Sequence, residues 1–190
     1  MNSLTRKLLW LPLLAAVFLT GCGTISTLGK LEDGAGAEAS SMWDKWVEGN
    51  GDIAIATTWA RKVKPGLTVK DIENAFDAIS AERNMKGVGE LPLSAELEAR
   101  TGVKQKFLKV YSYCSPATAR LMVDFSPAMG AYLPCRLTVI EKEDGLWIYT
   151  LNMDMMVKMG RKLPSPLKEE AQKVRDTIYQ MMDRAASGDF

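Results

Sequence analysis

Residues Leu8 to Leu19 form an apolar run of 12 residues behind Arg6 and Lys7, and this run sets how much of the chain is left to fold. A membrane-spanning helix needs ~20 apolar residues, so the run is short for one, and Pro12 inside it disfavours a stable span further. A positive start, an apolar centre and small residues at the end make the pattern of an export signal, residues 1–21. Cleavage before Cys22 removes 21 of the 190 residues, leaves 169, and takes the formal charge from +1 to −1 because Arg6 and Lys7 leave with it. A chain of that length suits one domain with an appendage.

The run ends in Leu19-Thr20-Gly21-Cys22, which resembles a bacterial lipobox. The resemblance implies that the Cys22 thiol is alkylated with diacylglycerol and that its amine, freed by cleavage, takes a further fatty-acyl chain such as palmitate. One acyl chain holds a protein only marginally, whereas two or three hold it firmly, at ~0.8 kcal/mol per buried CH₂. The expectation is a lipoprotein on the periplasmic face of a membrane. Gly23, where an Asp is absent, leans by the same resemblance towards the outer membrane. The nearly neutral mature chain lacks the concentrated Lys and Arg that phosphate binding needs, so nucleic acid is not an expected partner and attachment falls to the lipid.

The chain has no histidine, which excludes a Ser-His-Asp or Cys-His relay, an HExxH zinc site and a CxxCH haem attachment. At 47% hydrophobic and 25% charged it is an ordinary globular sequence. Residues 22–52 are rich in Gly, Ala, Ser and Thr and read as a lipidated flexible tether, with a reach of about 30 Å. Inside it, Met42-Trp43-Asp44-Lys45-Trp46-Val47 is an apolar island. It reads either as an interfacial or partner-docking patch or, more simply, as a short segment laid on the domain.

The globular domain spans residues 53–190. Ile53 to Val63 is rich in β-formers and reads as a strand, closed by Pro65-Gly66. Thr68 with Asp71 resembles a capping box, and Val69, Ile72, Phe76 and Ile79 form a helical stripe that runs to about Asn84. A short helix follows Pro92 and stops at Gly102. Phe107 to Tyr113 reads as a strand, Ser115-Pro116 as a helix start with the helix ending near Ser126, and Cys135 to Glu141 as a further strand. Glu143-Asp144-Gly145 turns that strand into its hairpin partner, Leu146 to Leu151. Ser165-Pro166 opens a long amphipathic helix carrying Leu167, Ala171, Val174, Ile178 and Met181 on one stripe. The consistent fold class is α+β: a small antiparallel sheet with helices packed on one face, a two-layer sandwich.

Three groups of residues in the domain bear on chemistry. Cys114 and Cys135 are an even pair in an exported chain, which points to a disulfide or a redox pair. A parallel crossover would leave them ~20 Å apart at opposite ends of two strands, whereas a linker from Pro127 to Pro134 that climbs back would make the strands antiparallel and the cysteines close. Cys114 also precedes a helix start, where backbone N–H groups favour a thiolate. Met153, Met155, Met156 and Met159 fall within seven residues and suggest copper(I), a soft ion that thioethers bind. Core filling is the simpler account of them, because Met122, Met129, Met181 and Met182 show that methionine is spread through the chain. Tyr111, Tyr113, Tyr132, Trp147 and Tyr149 read either as an apolar ligand pocket or as sheet packing. No carboxylate pair stands out for acid–base work, and Gly87-Val88-Gly89 lacks the remaining glycine of a phosphate loop.

Tyr111-Ser112-Tyr113-Cys114-Ser115-Pro116, Leu133-Pro134-Cys135-Arg136-Leu137 and the Trp147-Ile148-Tyr149 strand leading into Asn152-Met153-Asp154 are similar to the bacterial family of unknown function numbered 302, with Ser115 where members often carry Asn. The likeness runs from about Ile53 to Ala186. It implies helices on one side of an antiparallel sheet, dimers among its members, and no established reaction, so no catalytic residues carry over. It also favours the route that brings Cys114 near Cys135. The leading expectation is a membrane-anchored domain that binds a periplasmic protein or a small ligand, without a cofactor and without turnover. Thiol or sulfur chemistry at Cys114 and Cys135, and copper(I) binding by Met153 to Met159, are the alternatives.

Overall fold

The computed structural model describes residues 26–189, so the expected export signal and Cys22 lie outside the described residues. Among the described residues, the helices from Ala35 onward follow one another as α1 (Ala35–Glu48), α2 (Ile53–Thr57), α3 (Val69–Glu82), α4 (Leu93–Thr101), α5 (Pro116–Phe125), α6 (Met153–Lys158) and α7 (Leu167–Ser187). Five strands are interleaved with them: β1 (Thr58–Lys62), β2 (Lys86–Leu91), β3 (Leu108–Cys114), β4 (Cys135–Lys142) and β5 (Gly145–Leu151). They form one sheet in the order β1-β5-β4-β3-β2 with every pairing antiparallel.

Register decides which residues face inward. Tyr111 lies opposite Leu137, Tyr113 opposite Cys135 and Val139 opposite Ile148, so all six point to one face. That face is closed by α3 and α7. Helix α3 starts on the expected capping box, in which the Asp71 carboxylate accepts the Thr68 N–H at 2.7 Å, and it buries Ile72, Ala75, Phe76 and Ile79 at helical spacing. Phe76 meets Tyr111 and Tyr113 edge-on, with ring centroids 5.4 and 6.2 Å apart. Helix α7 buries Leu167, Val174, Ile178, Met181 and Met182. This is the expected two-layer α+β arrangement. Among the described residues no helix is long and apolar enough to cross a membrane.

Several elements depart from the sequence reading. The stretch read as a tether contains α1, and the chain before it is fixed to the domain. Leu31 bridges Arg161, and buried Glu32 accepts the Leu163 N–H at 2.8 Å and the Lys168 ammonium at 2.7 Å. Small residues such as Ala35, Ala37 and Ala39 are good helix formers as well as tether formers, so composition alone does not separate the two. The expected strand from Ile53 is a helical turn up to Thr57, because the Asp52 carboxylate caps the Ala54 N–H at 2.8 Å; only Thr58 to Lys62 is strand. Strand β2 gives no strand signal in sequence, since its Gly87 and Gly89 flank a bulge on an exposed sheet edge. Residues Pro127–Tyr132 form a 3₁₀ turn on the climb back to β4.

Candidate functional site

The methionine-rich stretch after β5 is helix α6, and helical period decides which of its sulfurs share a face. On a strand Met153 and Met155 would share a face; on a helix Met153 and Met156 do. Those two side chains, with Met122 of α5, Met129 of the 3₁₀ turn and Cys135 at the start of β4, line one apolar cavity of about 30 Å³ closed on its far side by α7. Met159 lies elsewhere, in a wider groove beside Trp43 and Trp46. The proposed set Met153, Met155, Met156 and Met159 is therefore not brought together. A different sulfur group is, drawn from four separate elements.

Helix α6 is held in place by a polar network beside the cavity. The fully buried Asn152 caps it, its side-chain oxygen accepting the Asp154 and Met155 N–H groups at 3.0 and 3.3 Å. Asn152 Nδ2 donates to Glu38 of α1 at 2.6 Å, which ties the N-terminal segment to the site. The Tyr179 hydroxyl also accepts the Asp154 N–H, at 3.1 Å, and its ring stacks on Trp59 with centroids 3.5 Å apart. Asp154 in turn holds the Arg175 guanidinium and the Lys158 ammonium, each at 2.9 Å. Burial pushes the Tyr179 phenol well above its ordinary range, so it stays protonated. Asn152 directly before an apolar turn is a helix-start signature that the sequence carries.

The aromatic residues do not form one pocket. Tyr111 and Tyr113 are buried against Phe76, and the Tyr111 hydroxyl donates to Glu73 at 2.8 Å. Trp147 and Tyr149 alternate with Ile148 and so occupy the opposite face of the sheet, ring centroids 6.1 Å apart. Tyr132 sits apart at the mouth of the methionine cavity. Two-residue periodicity explains the separation: neighbours in sequence on β5 and β3 face different layers.

The same rule corrects the disulfide. Antiparallel pairing does bring the cysteines to adjacent strand ends, but the direct partner of Cys135 is Tyr113, and that of Cys114 is Lys86. Strand alternation therefore turns Cys114 to the face opposite Cys135, and no disulfide joins them in this structure. Both are free thiols. Burial pushes the Cys135 thiol up to about 11, with neighbouring Cys114 adding to it, and burial raises Cys114 as well. Position before α5 does not produce the thiolate that exchange chemistry needs. Alkylation by iodoacetamide at pH 7 is expected to run roughly 100-fold slower at Cys135 than at an unperturbed thiol. Because the folded state holds that proton more tightly than the unfolded chain, the associated stability is complete below about pH 9 and is lost as pH rises through about 11. Rapid labelling of Cys135 at pH 7, read by peptide mass, would contradict this.

Comparison with known proteins fits this geometry. The family model described as Domain of unknown function DUF302 matches residues 59–185. The chain belongs to the DUF302 family. All residues lining the cavity fall inside the matched region, whereas α1 and α2 precede it. The uncharacterized conserved protein DUF302 from Bacillus stearothermophilus, solved as a crystal structure, superposes with a TM-score of 0.56 at 16% identity, covering 68% of this chain and 98% of its own. At that identity the likeness speaks for the fold. Among curated proteins none matches the chain.

Proposed function

We propose that the protein is an envelope lipoprotein, exported by residues 1–21, acylated at Cys22 and facing the periplasm from the outer membrane, whose DUF302 domain binds a small ligand without turning it over. The observation that carries the binding role is the methionine-lined cavity. Its lining is almost wholly apolar, and a buried water needs two to four polar partners, so water is a poor occupant. At about 30 Å³ it is far smaller than the ~300–1,000 Å³ of organic-ligand pockets, which favours an occupant of atomic size.

Copper(I) is the second reading, now on Met122, Met129, Met153 and Met156 instead of Met153 to Met159. Thioethers are soft, uncharged donors that carry no proton to displace. Competition of the purified protein against a chromophoric copper(I) chelator tests it: wild type is expected to retain the ion and a variant with those four methionines changed to Leu to lose it. Equal retention by the two proteins removes copper(I). Xenon, which enters dry apolar cavities, tests the cavity itself, since failure of both probes removes the binding site. Reproducible turnover of any substrate that depends on a cavity residue would overturn the non-catalytic role. For the anchor, Cys22→Ser is expected to move the protein from the membrane to the soluble fraction; retention in the membrane would contradict acylation as the attachment.

A further inference from the structure

Among the described residues, one group of exposed apolar side chains lies outside the DUF302 region. Trp43, Val47, Ile53 and Ile55 are 62%, 55%, 65% and 50% exposed, and Trp46 is 37% exposed. Trp43, Trp46 and Val47 fall at i, i+3 and i+4 on the last turns of α1, with the two indoles 5.1 Å apart. The Gly51 N–H returns to the Trp46 carbonyl at 2.8 Å, and Asp52 caps α2, which folds the chain back so that Ile53 shares one groove with Trp43 and Trp46. Ile55 lies against Gly49 at the end of α1. The result is a single apolar corner.

We propose that this corner is a lipid-facing patch that lays the domain on the membrane holding its acylated N-terminus. Contiguous exposed apolar surface marks an interaction site, and tryptophan is the side chain most at home at a bilayer–water boundary, with an apolar body and one N–H donor. Chain length supplies the partner. Leu31 is docked on the domain only nine residues after Cys22, which limits its distance from the acyl chains to about 30 Å at full extension. Helix α1 is only ~21 Å long, so its apolar end lies within the distance that the anchored chain can span. A nearby bilayer is present at high effective concentration, and a weak patch suffices. Charge selects the lipid: Asp44, Glu48 and Asp52 outnumber Lys45 around the patch, so insertion depends on apolar contact with zwitterionic lipid and gains nothing from anionic headgroups. The proposal rests on acylation at Cys22.

The test uses the lipidated protein in phosphatidylcholine vesicles with brominated acyl chains, which quench tryptophan they touch. Trp43 and Trp46 are two of the four tryptophans left after cleavage, so about half of the emission is expected to be lost. The loss should be absent in W43F/W46F, which assigns it, and in V47D/I53D, which keeps both indoles but charges the patch. Equal quenching in wild type and V47D/I53D overturns the proposal. So does a dimer, seen by ultracentrifugation, that V47D/I53D abolishes, because the corner would then be an interface between copies. Intact mass of the same sample reads the acyl chains separately. Missing acyl mass fails the lipoprotein reading while added vesicles still test the patch, and acylated protein without quenching fails the patch alone.

Discussion

Phe76→Ala is expected to lower unfolding free energy by about 3–5 kcal/mol, the usual cost of emptying a fully buried aromatic site. Phe76 is the side chain through which α3 grips the sheet, touching both Tyr111 and Tyr113. Its removal takes away apolar burial and two edge-to-face contacts at once. It also loosens the Tyr111–Glu73–Lys109 cluster, in which Glu73 accepts from both partners at 2.8 Å. Urea unfolding followed by circular dichroism measures the loss. A change under 1 kcal/mol would show that the layers are held elsewhere. Phe76→Leu keeps most of the volume and is expected to cost less than half as much.

Asn152→Ala is expected to cost about 2–4 kcal/mol and to perturb the cavity as well as the fold. The substitution removes the cap of α6, typically ~1 kcal/mol, and leaves the Met155 N–H without its side-chain acceptor in a poorly solvated place, which adds ~1–3 kcal/mol. Loss of the bond to Glu38 also removes the polar tie between α1 and the start of α6. Two readouts separate these effects: urea unfolding gives the stability, and hydrogen exchange should rise in α1 and α6 together. Asn152→Asp keeps the cap acceptor but sets a carboxylate against Glu38, so it should retain protection in α6 and lose it in α1. Unchanged exchange in both helices with Asn152→Ala would show that the network does not couple them.

Much of the fold was legible because its signals are local. Thr68 with Asp71, Ser115-Pro116 and Gly102 each satisfy or end a helix by bonds within a few residues, and the structure places those boundaries as expected. The β4–β5 hairpin was equally legible, since Gly145 at φ +115 sits where a left-handed residue is needed. Strand β2 was not, because its pairing comes wholly from β3 and its own residues are all exposed. Helix α6 depends on distant partners for a related reason: Asn152 caps it locally, but Tyr179 and Arg175, 27 and 21 residues after their partners, and Glu38, 114 residues before Asn152, hold the turn in place. The site suffered most. Met122, Met129, Cys135, Met153 and Met156 have no sequence spacing in common, and they meet because α5, the 3₁₀ turn, β4 and α6 converge above α7.

Sequence alone determined where this chain is expected to go and what it cannot do. An export signal and a lipobox are linear elements that are read before folding, so the proposal for residues 1–22 rests on sequence, and the missing histidine is a fact of composition. Tertiary structure decided which residues act together. It placed Cys114 and Cys135 on opposite faces, split the five aromatics between layers, and exchanged one methionine group for another. The physical reason is that a side chain's neighbours are set by backbone period and strand register. A shift from two residues per repeat to 3.6, or by a single residue along a strand, turns it to a different partner.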